Sequence, residues 1–437
     1  SIQIIDKQLF TEQGATTLAE VLRNSPGVGT FYAGENGNTT SGDAIRMRGF
    51  DTSSSIFVDG IRDLGSISRD VFNTEAVEVA KGPAGTDNGR TAPTGAINMV
   101  TKRASLESAR SGTLSIGTDG QKRVTADVNQ TLGALSSSAL RLNLLWEDSD
   151  VPGRDHVANQ RAGLAASLGL GLDTSTRAWL NLLYVAQDNI PDGYVPTIAL
   201  PGWQPQAGLE PLAGHPVAPE NFYGTRNDHD DVKARMATLI IEHDFSDSVR
   251  LTIVARAGET RQDYLLTAFT STGANITGDP ANPGDLSAYR ITRGNPTIRD
   301  ARNRILTNQL NLRADFATGA AEHNLSIGAE ITGETQVLHN HSSTGTMPLA
   351  SLYNPDWNDT GDYAHSRNGT AARGKTNTIA FYAFDTAKFL SGLLLVTGGV
   401  RVDHYKTVFF SNAVCNTGTG RGAVPCGPLP LGSIVTT

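Results

Sequence analysis

The sequence predicts an antiparallel transmembrane β-barrel that follows a small N-terminal α/β domain. Three observations predict this class. Apolar and polar residues alternate over long stretches after residue 111, the links between those stretches alternate in length, and no stretch is apolar enough to form a membrane-spanning helix. A barrel can cross a membrane with only 38% hydrophobic residues, because every second residue of a strand faces lipid and the others face the lumen.

Length, charge and motif content exclude other classes. The 437 residues are too many for one ordinary soluble core, and the net charge of −8 argues against nucleic acid as a partner. The motifs Gly-x-Ser-x-Gly, the P-loop and His-Glu-x-x-His are absent, so we expect no enzyme activity. The start of the chain shows no signal-peptide pattern, and we expect that it has been processed or trimmed.

Residues 1–104 mix helix and strand signals and form the first predicted domain. Thr17 and Glu20 have the spacing of a capping box, which predicts that a helix begins there and carries Leu18 and Leu22 on its apolar face. Polar, glycine-rich loops separate short predicted strands at 44–48, 55–58, 76–81 and 96–101.

Residues 105–437 form the second predicted domain, which consists of barrel strands. In 122–132 and 306–316 one side of the strand is apolar and the other is polar, so we assign the apolar side to lipid and the polar side to the lumen. Strands are predicted near 111–118, 121–131, 138–149, 161–171, 175–188, 232–245, 248–263, 302–316, 321–338, 375–389 and 391–410.

The links between these strands indicate which kind of barrel it is. Turns near 133–136, 173–174, 246–247, 317–320 and 390–391 are short, whereas the links at 150–160, 189–231, 264–301 and 339–374 are long. Short periplasmic turns and long extracellular loops are typical of outer-membrane barrels. Plugged transporters have about 22 strands, so the roughly eleven strands found here predict about half of a longer barrel.

Glycine-containing phrases in the first domain carry a family resemblance. Residues 45–50 (IRMRGF), 56–61 (IFVDGI), 77–83 (VEVAKGP) and 95–102 (GAINMVTK) resemble, in this order and spacing, the plug domain of TonB-dependent outer-membrane receptors. Residues 31–37 (FYAGENG), 48–53 (RGFDTS), 59–63 (DGIRD) and 85–90 (GTDNGR) are similar to the catecholate-type siderophore receptors, the Fiu- and PiuA-like group.

This resemblance implies an architecture and a function. The first domain would be a plug inside the lumen of a 22-stranded barrel in the bacterial outer membrane, surrounded by lipid and lipopolysaccharide. The protein would be a monomer that imports ferric siderophores with energy from TonB, which would contact a segment before Ser1. Iron would travel as siderophore cargo, with no cofactor. Two alternatives stay open: another cargo such as haem or cobalamin, and an adhesive or phage-docking barrel.

Three plug loops, 31–41, 50–55 and 62–69, are expected to face the cargo. Arginine and aromatic side chains suit a large anionic, aromatic chelate, and the siderophore already saturates the iron, so we expect no direct metal ligand. The alternative for Arg62 and Asp63 is that they pair with each other in a turn. The candidate cargo-binding residues are Phe31, Tyr32, Glu35, Asn36, Arg62, Asp63 and Arg69.

Arg48 and Lys81 match family positions at which basic side chains tie the plug to carboxylates of the barrel wall. The resemblance places those carboxylates late in the barrel, beyond the end of this sequence. A lysine at position 81 would make a point-charge contact rather than a bidentate one. The alternative is that both residues form ordinary salt bridges on the plug surface.

Cys415 and Cys426 lie in a Gly-, Pro- and Thr-rich stretch that follows the last predicted strand. Their spacing predicts a disulfide in an extracellular loop, and two free thiols are the alternative.

We expect the loop aromatics to pack within the loops or at the membrane girdle, and the histidines to be solvated rather than metal ligands. The loop aromatics are Tyr194, Trp203, Phe222, Tyr223, Tyr353, Trp357 and Tyr363, and the histidines are His339, His341 and His365. Trp146 and Tyr184 lie on predicted strands and are expected in the girdle.

Overall fold

The computed structural model describes residues 2–30, 43–65, 67–82, 94–133, 135–270, 275–416 and 424–436. An N-terminal domain packs against one face of a large antiparallel sheet. None of the helices in these described ranges has the length and apolar character that a transmembrane helix requires.

The N-terminal domain is built from two short helices and eight short strands. They are β1 (Ile2–Asp6), α1 (Lys7–Glu12), α2 (Leu18–Leu22), β2 (Val28–Thr30), β3 (Ile45–Met47), β4 (Phe50–Asp51), β5 (Ile56–Val58), β6 (Ile61–Arg62), β7 (Thr74–Lys81) and β8 (Gly95–Thr101). One sheet has the order β1-β7-β8-β5-β6, and a smaller one has the order β2-β3-β4. The four predicted strands are confirmed to within two residues at each end.

The predicted capping box is confirmed at the start of α2. The backbone N–H of Glu20 donates to Thr17 Oγ1 at 3.3 Å, and the Glu20 carboxylate accepts from the backbone N–H of Thr17 at 3.2 Å. The helix then presents Leu18 and Leu22, both fully buried, to the sheet strands that carry Ile97. The domain therefore has an apolar core of its own.

The large sheet contains the eleven predicted barrel strands and one short strand. In chain order the strands of the second domain are β9 (Ala109–Ile116), β10 (Lys122–Thr131), β11 (Ala139–Asp150), β12 (Ala158–Leu170), β13 (Thr176–Asn189), β14 (His229–Ser246), β15 (Val249–Leu266), β16 (Ile276–Thr277), β17 (Arg290–Ile291), β18 (Thr297–Thr318), β19 (Ala321–Thr344), β20 (Ala350–Ser351), β21 (Ala364–Phe389), β22 (Leu394–Val414) and β23 (Ile434–Thr436). All large-sheet neighbours are antiparallel.

The sheet order runs from β9 to β23, and these two strands do not pair with each other among the described residues, so the barrel is partial and not closed. The predicted alternation of short turns and long links is confirmed. Several strands extend further toward the extracellular end than the sequence predicts. The prediction that His339, His341 and His365 lie in a long loop is therefore wrong, since His339 and His341 belong to β19 and His365 belongs to β21. Interstrand pairing continues there beyond a bulge, at which the register shifts between His339 and His341.

The register separates an outward face from an inward face, as the alternation predicts. Leu310 is 44% exposed on the outward face, whereas Asn129 is 2% exposed on the inward face. Trp146 and Tyr184 both lie on the outward face and are half exposed. The side that faces the N-terminal domain is therefore polar, and the opposite side is largely apolar.

Three long loops pack together at the extracellular end of the strands into a unit that we call the loop cap (190–228, 267–296 and 345–363, without the undescribed 271–274). Its own core contains Leu212, Tyr223 and Ile291, all nearly fully buried, and Trp203 and Tyr353 pack against it. These aromatics therefore pack within the loops, as expected, and so does Trp357, whose ring stacks on His156 at 4.4 Å.

A buried arginine ties the loop cap together. The Arg293 guanidinium donates to the backbone carbonyls of Tyr223 at 2.9 Å, Gly224 at 3.3 Å, Asp356 at 2.8 Å and Asp359 at 2.8 Å. One side chain thus satisfies carbonyls from two other loops, which links the three loops as one body.

The predicted disulfide between Cys415 and Cys426 is confirmed, with 4.9 Å between the Cα atoms. It joins the end of β22 to the segment before β23, on the extracellular side. The cross-link holds the chain ends of this loop close together.

Candidate functional site

The N-terminal domain is joined to the sheet mainly by charged and polar side chains. Asp70, almost fully buried, accepts from both terminal nitrogens of Arg123 on β10 at 2.7 and 2.8 Å. Arg123 also contacts Glu147 on β11, and Arg161 on β12 lies 3.9 Å from Asp70. This bidentate arginine–carboxylate pair, together with the charged groups around it, fixes the position of the N-terminal domain on the sheet.

A second polar junction lies at the turn between β5 and β6. The Arg256 guanidinium on β15, 1% exposed, donates to the carbonyl of Val58 at 2.7 Å and to Thr238 Oγ1 at 2.8 Å. The Asp59 carboxylate lies 3.4 Å from the same guanidinium. Asp59 has a φ of 49°, a left-handed conformation that aspartate tolerates better than most residues.

The segment after β8 forms a third junction. Lys102 donates to the carbonyl of Phe72 at 2.7 Å and to Asn143 Oδ1 at 3.2 Å, and its ammonium lies 3.2 Å from Asp127 on β10. Burial lowers the pKa of Lys102, and the neighbouring Asp127 carboxylate opposes that effect. The backbone N–H of Ala104 donates to Ser167 Oγ at 2.9 Å.

The direct apolar contact with the wall is small by comparison. The Phe72 ring packs against Leu145 and Ala165. A Cβ atom added to Gly163 would lie 2.7 Å from the Phe72 ring, so the absence of a side chain there makes room for the ring. The interface thus combines one apolar anchor with several ionic and hydrogen-bonded junctions.

Four predicted cargo residues, Phe31, Tyr32, Glu35 and Asn36, lie outside the described residues. Asp63 and Arg69 pair with each other at 2.7 Å. Arg69 is 6% exposed and also donates to Asp43 at 3.2 Å, and burial raises the pKa of Asp43, an effect that Arg69 only partly offsets. The described geometry therefore turns Arg69 into the domain interior.

Arg62 lies at a cavity between the domain and the wall. Its Nε atom is 3.7 Å from Glu334 on β19, and its guanidinium lies 5.8 Å from the Phe57 ring centre. The cavity has a volume of about 210 Å³ and is also lined by Tyr382 and Arg401, whose guanidinium lies 5.6 Å from the Tyr382 ring centre. Three carboxylates, Glu330, Glu334 and Asp403, also line the cavity, and Arg401 is paired with two of them, Glu330 at 3.1 Å and Asp403 at 2.9 Å. The cavity is therefore polar and charged with both signs, and it is smaller than the roughly 300–1,000 Å³ of usual small-molecule pockets.

The predicted tethers behave differently from the junctions above. Arg48 is exposed, with a φ of 52°, and Lys81 is half-buried. Neither forms an ion pair with the wall within the described ranges, so their tether role stays a prediction. Sequence reasoning missed the tethers that the structure does describe, Asp59 and Asp70, because the pairing partner of each depends on strand register.

Two of the three predicted histidines, His341 and His365, form a hydrogen-bonded group rather than being solvated. His341 Nδ1 lies 3.0 Å from His365 Nδ1, and His341 Nε2 lies 3.0 Å from Asp300 Oδ2. Among the described residues, no group of three or more histidine, cysteine or acidic side chains could hold a metal ion.

Two family models match this chain. Residues 1–96 match the TonB-dependent Receptor Plug Domain, and residues 173–423 match the TonB dependent receptor-like, beta-barrel family. The chain belongs to the TonB-dependent receptors. Its N-terminal domain is the plug, and its large sheet is part of the barrel wall in the outer membrane.

Two curated relatives match all or most of this chain. It is 46% identical over 440 residues to the catecholate siderophore receptor Fiu of Escherichia coli K12, covering 100% of this chain and 57% of that protein. It is 33% identical over 368 residues to the probable TonB-dependent siderophore receptor PiuA of Acinetobacter baumannii, covering 82% and 47%. The chain thus spans about half the length of these curated relatives.

A solved structure resembles the fold closely. The closed form of the ferric-catecholate import receptor Fiu from E. coli K12 superimposes with a TM-score of 0.92 at 45% sequence identity, covering 100% of this chain and 60% of that one. The open form gives a TM-score of 0.89 at 43% identity, covering 100% and 64%.

Proposed function

We propose that the receptor to which this chain belongs binds ferric catecholate siderophores at the cell surface and imports them into the periplasm with energy from TonB. The observation that carries the proposal is the 46% identity to the catecholate siderophore receptor Fiu along the whole chain. In this proposal residues 1–104 are the plug and residues 105–437 are the N-terminal part of the barrel. The receptor acts as a monomer, surrounded by outer-membrane lipid and lipopolysaccharide.

The polar plug–wall interface supports a transport role. A hydrogen bond to a charged group contributes about 1.5–3 kcal/mol net, because water can replace much of what the lost partner supplied. Junctions such as Asp70–Arg123 and Lys102–Asn143 can therefore be exchanged for water when the plug is pulled or rearranged. TonB would supply that pull through a segment before Ser1. The protein catalyses no reaction and needs no cofactor, because the iron arrives already saturated by its chelator.

Arg62, beside the 210 Å³ cavity, is the cation that we propose for this cargo. A ferric tris-catecholate is anionic and aromatic, so Arg62 can bind its charge and Phe57 can pack against its rings, whereas Arg401 is held by Glu330 and Asp403. We propose Phe31, Tyr32, Glu35 and Asn36 as further contacts, and we propose that the Asp63–Arg69 ion pair fixes the plug segment that carries Arg62.

The test of the cargo is uptake. A strain that lacks its own siderophore receptors, given the full-length receptor, should accumulate radioactive iron from ferric catecholates and not from ferric hydroxamates, haem or cobalamin complexes. Uptake should disappear when TonB is deleted. Preferential uptake of haem or cobalamin would contradict the cargo but leave the architecture intact, and binding without any TonB-dependent uptake would favour an adhesive or docking barrel.

A pair of variants tests the proposed contact of Arg62. Arg62→Ala should weaken binding of ferric catecholates by about 1.5–3 kcal/mol, the contribution of a hydrogen bond to a charged group. Adding Tyr32→Ala should bring the loss to roughly 2–4 kcal/mol in titrations of the purified receptor. Glu334→Gln is the matched control, because it removes the wall partner of Arg62 but keeps the cation. Equal losses in Arg62→Ala and Glu334→Gln would show that Arg62 acts only by holding the plug.

A further inference from the structure

Two histidines face each other at the base of the third loop of the loop cap, 345–363. His341 lies near the end of β19 and His365 near the start of β21, the two strands that this loop connects. In the register His341 pairs with Arg367 and His365 pairs with Ser343, so the two histidines are diagonal neighbours across the strand pair. Their Nδ1 atoms lie 3.0 Å apart. The histidine pair therefore joins both strands of the stem that carries this loop.

The hydrogen-bond partner of His341 determines which of its ring nitrogens carries the proton. His341 Nε2 lies 3.0 Å from Asp300 Oδ2, and because an ionised carboxylate only accepts, Nε2 is the donor. In the neutral ring Nδ1 then has a free lone pair on the side of His365. His365 can present its own Nδ1 as a donor to this lone pair or, in its other tautomer, as a second lone pair. In the latter state two imidazole lone pairs converge on one point.

The spacing of the two rings suits a shared metal ion. Two imidazoles on one tetrahedral zinc ion, with Zn–N bonds of about 2.0–2.1 Å, have their ring centres about 5.2 Å apart and their bound nitrogens about 3.3–3.4 Å apart. The ring centres of His341 and His365 are 5.2 Å apart, and the ring planes are inclined by 34°. The centres are thus already at the separation that the ion requires, and a tilt of the rings is enough to part the two Nδ1 atoms by about 0.3–0.4 Å.

The residues around His341 hold its ring in the orientation of a metal ligand. The side chains of His341 and Asp300 are only 10% and 7% exposed. The Arg367 guanidinium donates to both oxygens of the Asp300 carboxylate, to Oδ1 at 2.8 Å, and so fixes the carboxylate. Histidines that bind metal ions almost always donate their other ring N–H to a carboxylate, a carbonyl or water, which sets the tautomer and makes the binding nitrogen more basic. His341 already has such a partner.

We propose that His341 and His365 bind a divalent transition metal ion of the zinc and copper class at the stem of the third loop of the loop cap. Imidazole nitrogens suit this class, whereas Ca²⁺ and Mg²⁺ prefer oxygen ligands. Within the described ranges, no third histidine, cysteine or acidic side chain completes the site, so water fills the remaining positions. The bound ion links β19 to β21 and stiffens the loop that they carry. The proposal does not depend on which cargo the receptor transports.

The test titrates Zn²⁺ and Cu²⁺ into the purified, chelator-treated full-length receptor, with binding followed by calorimetry. The parent should bind one ion more than His341→Gln or His365→Gln, each of which removes one ligand. Asp300→Asn keeps both ligands but removes the charge of the carboxylate that orients His341, so it should weaken binding by about 10–100-fold. The Cu²⁺ electron paramagnetic resonance spectrum of the parent should show hyperfine splitting from two imidazole nitrogens, which is lost in either histidine variant.

A control variant and a second measurement separate this site from other histidines. His323→Gln is the matched control, because His323 also lies on β19 and contacts a carboxylate, Asp385 at 2.7 Å, but its other ring nitrogen contacts Thr318 instead of a second histidine. It should bind both ions as the parent does. Zn²⁺ should also slow hydrogen exchange of the amides in 341–366 in the parent and not in His365→Gln.

Three outcomes would overturn the proposal. They are metal binding in either histidine variant that equals that of the parent, a copper spectrum of the parent without the pair of nitrogens, and hydrogen exchange in 341–366 that Zn²⁺ leaves unchanged. Exchange of the plug amides, measured in the same experiment, should be equal in the parent and the variants and so shows that the variants are folded.

Discussion

The interior of the plug and its interface with the barrel wall are built from different chemistry. The interior buries Leu22, Ile56 and Ile97 completely, whereas the interface is held by Asp70–Arg123 and the other polar junctions. Burying a large aliphatic side chain contributes about 1.5–3 kcal/mol that water cannot replace, but water can replace most of a hydrogen bond. The plug is thus built to stay folded while its attachment to the wall changes.

The largest effect is expected from a charge in the plug interior. Ile97→Asp places a carboxylate without a partner among fully buried aliphatic side chains, which should destabilise the plug by more than about 4 kcal/mol. The barrel should still assemble, but cells should become permeable to large antibiotics that the outer membrane excludes. Ile4→Asp is the matched control, since Ile4 is 65% exposed, and equal permeability of the two variants would break the distinction between interior and surface.

An intermediate effect is expected at the plug–wall interface. Asp70→Asn removes one of the two carboxylates that Arg123 contacts among the described residues. It should lower the free energy of attachment by about 3 kcal/mol, because a buried ion cluster loses one of its charges. Glu75→Gln removes the charge of a half-exposed carboxylate that lies 3.6 Å from Arg141. It should change the free energy of attachment by less than about 1 kcal/mol. Protease cleavage within 62–70 of the assembled receptor measures the attachment. Equal cleavage of both variants would show that burial does not distinguish these pairs.

The smallest expected effect is a pH dependence of the stability of the loop cap, which has an apolar core like that of the plug. Asp228, at its base, accepts from the backbone N–H of Thr267 at 2.7 Å and of Thr225 at 3.2 Å, and burial raises its pKa to about 6. The folded carboxyl thus binds its proton more tightly than the unfolded one. Its stabilising contribution is complete below about pH 4 and is lost as the pH rises through about 6.

Hydrogen exchange of loop-cap amides measures this pH dependence. Protection, corrected for the intrinsic exchange rate, should fall modestly between pH 4.5 and 7 in the parent and much less in Asp228→Asn, which keeps the side-chain acceptor but does not titrate. A parent loop cap whose stability does not change over this range would contradict the assignment.

The sequence predicted those structural elements that are determined by residues close together in the chain. The capping box at Thr17 and Glu20 and the period-two alternation of strands such as 306–316 depend only on neighbouring residues, and the structure has them. The alternation also predicted which face is polar, because a shift of one residue would turn Leu310 and Asn311 to the wrong sides.

What the sequence could not predict depends on pairing over long distances. Asp59 stands in the glycine-containing segment 56–61, but its partner Arg256 is 197 positions later, and only the register of β15 brings Arg256 to the plug. The burial of Arg69 beside Asp43 depends on a contact between residues 26 positions apart, which no local pattern indicates. The role of Arg69 at the cargo stays a prediction.

The most direct test compares exchange of interior and interface amides in the full-length receptor at increasing, sub-denaturing urea. The amides of Ala104 and Ser105 donate to side chains of the wall, Ser167 and Asn129, whereas those of Val79 and Ile97 lie within the plug sheet. We expect Ala104 and Ser105 to lose protection at a clearly lower urea concentration than Val79 and Ile97. Loss of protection at all four amides in one transition would contradict a plug that stays folded while its attachment to the wall is released.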